Sequence, residues 1–367
     1  MKKLIAMLLA LVMILSLCAC NKKDGAAEEE KETAYLLTEI GATQTDSEGK
    51  THSMRGTVEY DDDYNVIGTK TYEDGKLSME TTYDKDMDKP LVEQEYDEDG
   101  KKTDRTEYTY DANGNRLERS GSYSYDGKTT TFKEVCTYDA NGNQLTEKSY
   151  SNGELEYEYT YTYTAFNKVA TQIRRDNDGD ETHSTYTYDE HENVISCKTE
   201  YKYSDGNNHS YVETYENTYE GDKLVEVKVY TDEELESLTQ YDANGNEILR
   251  VYYFGDDGEE SSRYETIYDA NGKVLKRIEK WDEKSNITTY TYNSKGNCIE
   301  AVETYGDEEK SRITYSYDDN GNCTGLKMVR DGNVQLEYTV TYKEVKVSKE
   351  AAEKIAAVTK KIGIFNY

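Results

Sequence analysis

One hexapeptide governs what this chain can become. Tyr110-Asp111-Ala112-Asn113-Gly114-Asn115 returns unchanged at Tyr138–Asn143 and Tyr241–Asn246, and in altered form from Tyr188, Tyr268, Tyr292 and Tyr317. With the degenerate copies headed by Tyr60, Tyr83, Tyr163, Tyr219 and Tyr342, the tyrosines recur at intervals of 22 to 31 residues. An echo of that length marks a small supersecondary unit that cannot bury a face alone and so stacks against its copies.

Strict alternation precedes each hexapeptide. In Thr106-Glu107-Tyr108-Thr109-Tyr110 the tyrosines share one face and the polar residues the other. Leu155, Tyr157, Tyr159, Tyr161 and Tyr163 make one stripe, and Leu336, Tyr338, Val340 and Tyr342 another. A period of two is that of a half-buried strand. The Asn-Gly pair then predicts a tight reversal with two consecutive positive φ values, and Asp111 and its equivalents can accept the backbone N–H two residues on. Further corners fall between motifs, at Asp126-Gly127, Asn152-Gly153, Asp178-Gly179, Asp205-Gly206, Asp257-Gly258 and Asp331-Gly332. The single proline, Pro90, is expected in a turn at Asp88-Lys89-Pro90.

The expected fold class is therefore all-β: a long antiparallel meander of repeated hairpins forming a twisted or curved sheet. About 24 strands at ~4.8 Å, closed once, would leave a tube ~37 Å across that tyrosines cannot fill. A twisted open or flattened sheet, with an open end that needs a cap, is thus expected. Ser348 predicts the N-cap of a helix over 349–362, with Ala351, Ile355, Val358 and Ile362 on one face and Gly363 ending it, as a cap on the array.

Composition decides between order and disorder. Hydrophobic residues are 35% and charged residues 32%, a disorder-like mixture, yet 37 tyrosines supply rings that pack while their hydroxyls tolerate water. The net charge of -31 excludes a phosphate-binding footprint, so nucleic acid is not a partner. Self-repulsion of this size also keeps a sheet with exposed edges soluble.

The chain opens with basic Met1-Lys2-Lys3 and an apolar run from Leu4 to Leu17, the layout of a secretory signal peptide. Leu17-Cys18-Ala19-Cys20 resembles a bacterial lipoprotein box, which implies cleavage before Cys20 and diacylation of its thiol; the plain alternative is a signal peptide with two incidental cysteines. Two acyl chains suffice for stable anchoring. Residues 20–33 are polar and read as a flexible tether. The expected organisation is a signal peptide at 1–19, a lipid-anchored tether at 20–33, the repeat array at 34–347, and a capping helix with tail at 348–367.

Tyr-Asp followed by x-x-Gly-Asn/Lys and an aliphatic residue (Leu117, Leu145, Ile248, Val274) resembles the YD repeat of Rhs-type bacterial surface proteins, over roughly residues 60–342. The resemblance implies a curved, spiralling antiparallel sheet. Large members enclose a toxin and carry a self-cleaving end, and neither that end nor a toxin domain is visible in this sequence.

Candidate chemistry is sparse. Asp176, Asp178 and Asp180 cluster hard oxygens suited to calcium, although Asp, Asn and Gly are also what a turn selects. Cys136, Cys197, Cys298 and Cys323 lack zinc spacing; Cys298 and Cys323, in equivalent slots two strands apart, are too distant for a disulfide, so they read as small buried thiols. His52, His183, His191 and His209 are scattered without a triad pattern. Tyr157, Tyr159, Tyr161 and Tyr163 are either cross-strand packing or an aromatic binding surface. The sum is a lipid-anchored, non-enzymatic surface module facing away from the cytoplasm that binds an envelope glycan or protein. A ligand-free spacer and a toxin-associated component are the alternatives. A solute-binding lipoprotein is disfavoured because α/β alternation is missing.

Overall fold

The computed structural model describes residues 31–46, 49–84, 89–125, 127–254, 258–281 and 285–361. The signal peptide, Cys20, most of the tether, Asp88, Asp126, Asp257, Ile362 and Gly363 lie outside them. Among the described residues are 24 strands and one helix, arranged as an antiparallel meander of hairpins. They fall into two compact units, residues 1–130 with 313–367, and residues 131–312.

In the first unit the strands are β1 (Glu32–Thr45), β2 (Thr51–Tyr60), β3 (Val66–Glu73), β4 (Lys76–Asp84), β5 (Lys89–Tyr96), β6 (Lys102–Tyr110), β7 (Arg116–Tyr125), the later part of β22 (Glu308–Tyr317), β23 (Cys323–Arg330) and β24 (Asn333–Val347). β1 begins two residues before the expected edge of the array, because Glu32 and Thr33 pair with Val347 and Lys346. The order across the ribbon is β23, β24, β1, then β2 through β7. The first strand thus pairs with the last, from Glu32↔Val347 to Gln44↔Leu336. This corrects the expected open end: β1 has a partner on each side and needs no cap.

The helix α1 (Lys349–Lys361) does something else. Its N-terminus is closed by Ser348, whose Oγ accepts the Ala351 N–H at 3.2 Å. Its Ile355 is buried with Ala34, Leu36 and Val347, and Tyr60, Tyr64 and Ala351 pack around them. The helix therefore covers the otherwise unfilled aliphatic face of β1. Pro90 is likewise not in a turn. It is the second residue of β5, opposite Tyr83, where the register slips between Thr82 and Tyr83. A bulge is one place where a strand tolerates a missing N–H.

The second unit holds the later part of β8 (Lys128–Tyr138), then β9 (Gln144–Ser151), β10 (Glu154–Tyr163), β11 (Val169–Asp176), β12 (Glu181–Tyr188), β13 (Val194–Lys202), β14 (His209–Glu220), β15 (Lys223–Thr231), β16 (Glu234–Tyr241), β17 (Glu247–Phe254), β18 (Glu259–Tyr268), β19 (Val274–Lys280), β20 (Ser285–Tyr292) and β21 (Cys298–Tyr305). Each pairs with the next.

The hexapeptide turn differs from expectation in one respect. Gly114 alone has positive φ (79°), and its N–H donates to the Asp111 carbonyl at 3.0 Å while the Asp111 N–H donates to the Asn115 carbonyl at 3.0 Å. That is a type I turn followed by a left-handed residue, which leaves Asn113 in an ordinary conformation. Two consecutive positive values occur instead at the opposite corners, as at Asn152 (49°) and Gly153 (86°). Asp111 locks the turn as expected, with Oδ1 accepting the Asn113 and Asn115 N–H groups at 2.9 and 2.8 Å. In degenerate copies Tyr64 (62°), Asn167 (63°) and Glu192 (63°) hold the glycine's place and its left-handed backbone.

In the described pairings a bulge follows such a turn. Thr109 faces Glu118 but Tyr110 faces Arg116, leaving Leu117 extra; Leu145 and Ile195 are extra in the same way. This accounts for the aliphatic at Leu117, Leu145 and Ile195, which is turned outward and 37 to 39% exposed, whereas Val274 pairs with Tyr268 and is buried. The motif tyrosine then locks the repeat to the one before it. Its hydroxyl donates to the carbonyl that opens the second strand of the preceding hairpin: Tyr163 to Gln144 at 2.7 Å, Tyr188 to Val169 at 2.7 Å, Tyr292 to Val274 at 2.7 Å and Tyr342 to Cys323 at 3.0 Å. The four described cysteines are free, three of them buried.

Candidate functional site

The predicted tyrosine stripe is real but shorter by one residue. The register with β9 slips between Leu155 and Tyr157, which rotates Leu155 onto the opposite face. Tyr157, Tyr159 and Tyr161 remain together and half-buried. Tyr157 and Tyr159 meet edge to face, 5.5 Å between centroids, while Tyr159 and Tyr161 lie 6.0 Å apart with planes 15° from parallel. Burial, with the Glu147 charge beside it, pushes the Tyr161 hydroxyl up to about 12. Tyr163 is a lock, occupied by the Gln144 carbonyl.

Directly paired residues of neighbouring strands point to the same side. Following the pairing from β10 to β14 gives one row, Tyr159↔Arg174↔Thr182↔Tyr201↔His209. A second row beside it reads Tyr161↔Gln172↔Ser184↔Thr199↔Tyr211. Arg174 lies over the rings of Tyr157 and Tyr159, at 5.2 and 5.9 Å, and donates to Asp176 Oδ1 at 2.7 Å. At the far end Tyr201 stacks on His209 at 4.5 Å and on Tyr203 at 6.2 Å with planes 9° apart. Tyr211 lies 6.2 Å from Tyr201, and Tyr203 is 37% exposed. The face thus carries two groups of standing rings, with a guanidinium and hydroxyl-bearing side chains between them.

Tyr201, Tyr203, Tyr211 and Arg174 are not among the sequence candidates, and His209 appears there only as a scattered histidine. Their signal was present in Tyr201-Lys202-Tyr203 and His209-Ser210-Tyr211, two short alternating stretches flanking Asp205-Gly206. Only the pairing of β13 with β14 brings them opposite one another. Of the remaining histidines, His183 binds Glu181 at 2.8 Å and His191 stacks on Tyr219 at 4.2 Å.

The proposed calcium carboxylates are not assembled as a ligand set. Asp176 accepts from Arg174, Asp180 Oδ1 accepts the Ser204 N–H at 2.9 Å, and Asp178 Oδ1 accepts the Asp180 N–H at 3.3 Å. Among the described residues no three His, Cys, Asp or Glu side chains converge in a way that could hold a metal ion. The turn chemistry of Asp and Asn accounts for these contacts.

Residues 120–218 match the model of a family described as uncharacterised protein. No curated protein matches the sequence. Among solved structures, the chain is similar to TcdB2-TccC3 without its hypervariable C-terminal region, at 14% identity and a TM-score of 0.38, over 87% of this chain and 20% of that one. It is similar to the Tc holotoxin pore of Photorhabdus luminescens at 14% identity and 0.36, over 88% and 20%. A porin-like protein from Bacteroides uniformis matches at 13% identity and 0.26, over 84% of this chain and 98% of that one. The chain spans about a fifth of the length of the toxin chains it matches.

Proposed function

We propose that the protein is a lipid-anchored, non-enzymatic binding module held on the outer side of a bacterial cell membrane, and that its ligand is an envelope glycan laid across the Tyr159–His209 row. The anchor rests on Leu17-Cys18-Ala19-Cys20 behind a basic and apolar leader. The ligand class rests on one observation: near-parallel rings at both ends of one face, Tyr159 with Tyr161 and Tyr201 with Tyr203 and His209. Aligned rings present flat faces on which the apolar faces of sugar rings stack, and half-burial holds each ring in one orientation before binding. From β10 to β13 the groups are ~14 Å apart, the span of a short oligosaccharide. Gln172, Thr182 and Ser184 lie between them and supply donors and acceptors for sugar hydroxyls.

The test is calorimetric titration of the detergent-solubilised protein with peptidoglycan fragments and envelope polysaccharides. Binding is expected, with Tyr201→Ala and Tyr159→Ala each weakening it about tenfold or more, and Tyr125→Ala leaving it unchanged. No heat with any glycan, or variants that bind like the parent, removes the reading and leaves a ligand-free spacer.

A further inference from the structure

A third aromatic group in residues 131–312 is built differently from the two stacks. Tyr252 on β17, Tyr264 on β18 and Trp281, the residue after β19, meet as a corner. Tyr252 and Tyr264 have centroids 6.1 Å apart and planes at 89°; Tyr264 and Trp281 are 6.2 Å apart at 72°. The Trp281 Nε1–H donates to the Tyr264 hydroxyl at 2.8 Å, which fixes the indole before any ligand arrives. Trp281 is nevertheless 55% exposed and Tyr252 39%.

We propose that this corner binds a quaternary ammonium group of the choline type. A flat sugar ring gains most from rings whose planes are aligned, and here the rings meet at 89° and 72°. A compact, rounded cation can touch several ring faces at once, and Trp followed by Tyr are the rings that attract it most. A cation ~4.5 Å above two perpendicular faces requires their centroids ~6.4 Å apart, close to the 6.1 Å of the Tyr252–Tyr264 pair. A quaternary nitrogen has no N–H to satisfy, so walls made of rings suit it better than they suit a lysine ammonium.

The charges around the corner agree. Glu279 stands directly opposite Tyr264 in the pairing, and its carboxylate forms no ion pair with the described residues. It supplies a local counter-charge. Arg250, whose Nη1 donates to the Tyr252 hydroxyl at 3.4 Å, is itself ion-paired with Glu247, which offsets its repulsion. The chain as a whole carries -31 and concentrates cations near its surface.

Trp281 is the chain's sole tryptophan, so intrinsic indole fluorescence reads this site and no other. Titrating the full chain with choline chloride, against sodium chloride at equal ionic strength, should give a saturable change in emission. The neutral carbon isostere of choline should bind at least tenfold more weakly, and Glu279→Gln and Tyr252→Ala should each raise the apparent Kd several-fold. Tyr264→Phe keeps the ring but frees the indole, and should weaken binding without unfolding the chain. Tyr201→Ala should leave the choline response untouched, which separates this site from the glycan row. A response that never saturates, or one equal for choline and its isostere, overturns the proposal.

Discussion

Replacing Tyr292 by phenylalanine isolates the device that joins one repeat to the next. The ring stays, and only the hydroxyl that donates to the Val274 carbonyl at 2.7 Å is removed. Burial, first among its causes, raises the pKa of this hydroxyl, as expected of a donor withdrawn from water. A neutral hydrogen bond of this kind contributes ~0.5–1.5 kcal/mol net. Tyr188, eight strands away, makes the same bond to Val169 at 2.7 Å. Well-separated sites add, so Tyr188→Phe with Tyr292→Phe should cost ~1–3 kcal/mol. Tyr219 departs from the pattern, because its hydroxyl donates to the Asp189 carboxylate and accepts from the Asn193 amide at 2.8 Å. With a charged partner, Tyr219→Phe should cost ~1.5–3 kcal/mol alone. Tyr125, 77% exposed, is the control; removing its hydroxyl should fall within ~0.5 kcal/mol of zero. Urea unfolding followed by circular dichroism ranks the four variants. If Tyr188→Phe and Tyr292→Phe are indistinguishable from Tyr125→Phe, the hydroxyls do not hold the repeats together.

The turns carry two further predictions. Glu192 sits at φ 63° where other copies have glycine. The left-handed backbone costs a non-glycine residue ~1–2 kcal/mol, partly offset by the greater freedom of glycine when unfolded, so Glu192→Gly should stabilise by ~0.5–1 kcal/mol and Gly142→Ala should destabilise; equal melting temperatures would contradict this. The side-chain amides of Asn115, Asn143 and Asn246, together with backbone N–H groups, hold Asp111, Asp139 and Asp242 below the usual carboxylate range. Lowered folded values mean stability that is present above pH ~4 and lost as pH falls through the folded values. The melting temperature should therefore be level from neutral pH down to pH ~5 and drop steeply below ~4, less steeply in Asp111→Asn.

The meander was legible because its two signals are local. Alternation in Thr106–Tyr110 fixes a strand, and Asp111 with Gly114 fixes its corner, without reference to anything distant in the chain. What escaped was non-local or depended on counting residues across a pair. Nothing near Glu32–Thr45 announces β24 as its partner, since the two are joined through about 300 intervening residues. The bulges at Leu117 and Glu156 change which face a side chain occupies without breaking the written alternation, so the alternation puts Leu155 in a stripe it leaves. Asn-Gly is ambiguous between a two-residue turn, which needs a left-handed Asn113, and the longer one adopted here. The aromatic row was half visible. Tyr157–Tyr161 lie on one strand, whereas Tyr201 and His209 become neighbours only when β13 pairs with β14.

The pairing of β1 with β24 fixes a timetable. Leu37 meets Tyr342, residues that leave the ribosome some 300 peptide bonds apart. At ~5–20 residues per second that is a delay of ~15–60 s, during which β1 offers one unsatisfied backbone edge and the apolar side chains of Leu36, Leu37 and Ile40 to whatever is nearby. A second nascent chain carries a matching β24, so crowded synthesis invites the two copies to exchange these strands. Closure of this edge waits on β24, and a chain stopped before Asn333 keeps a sticky margin that β24 conceals.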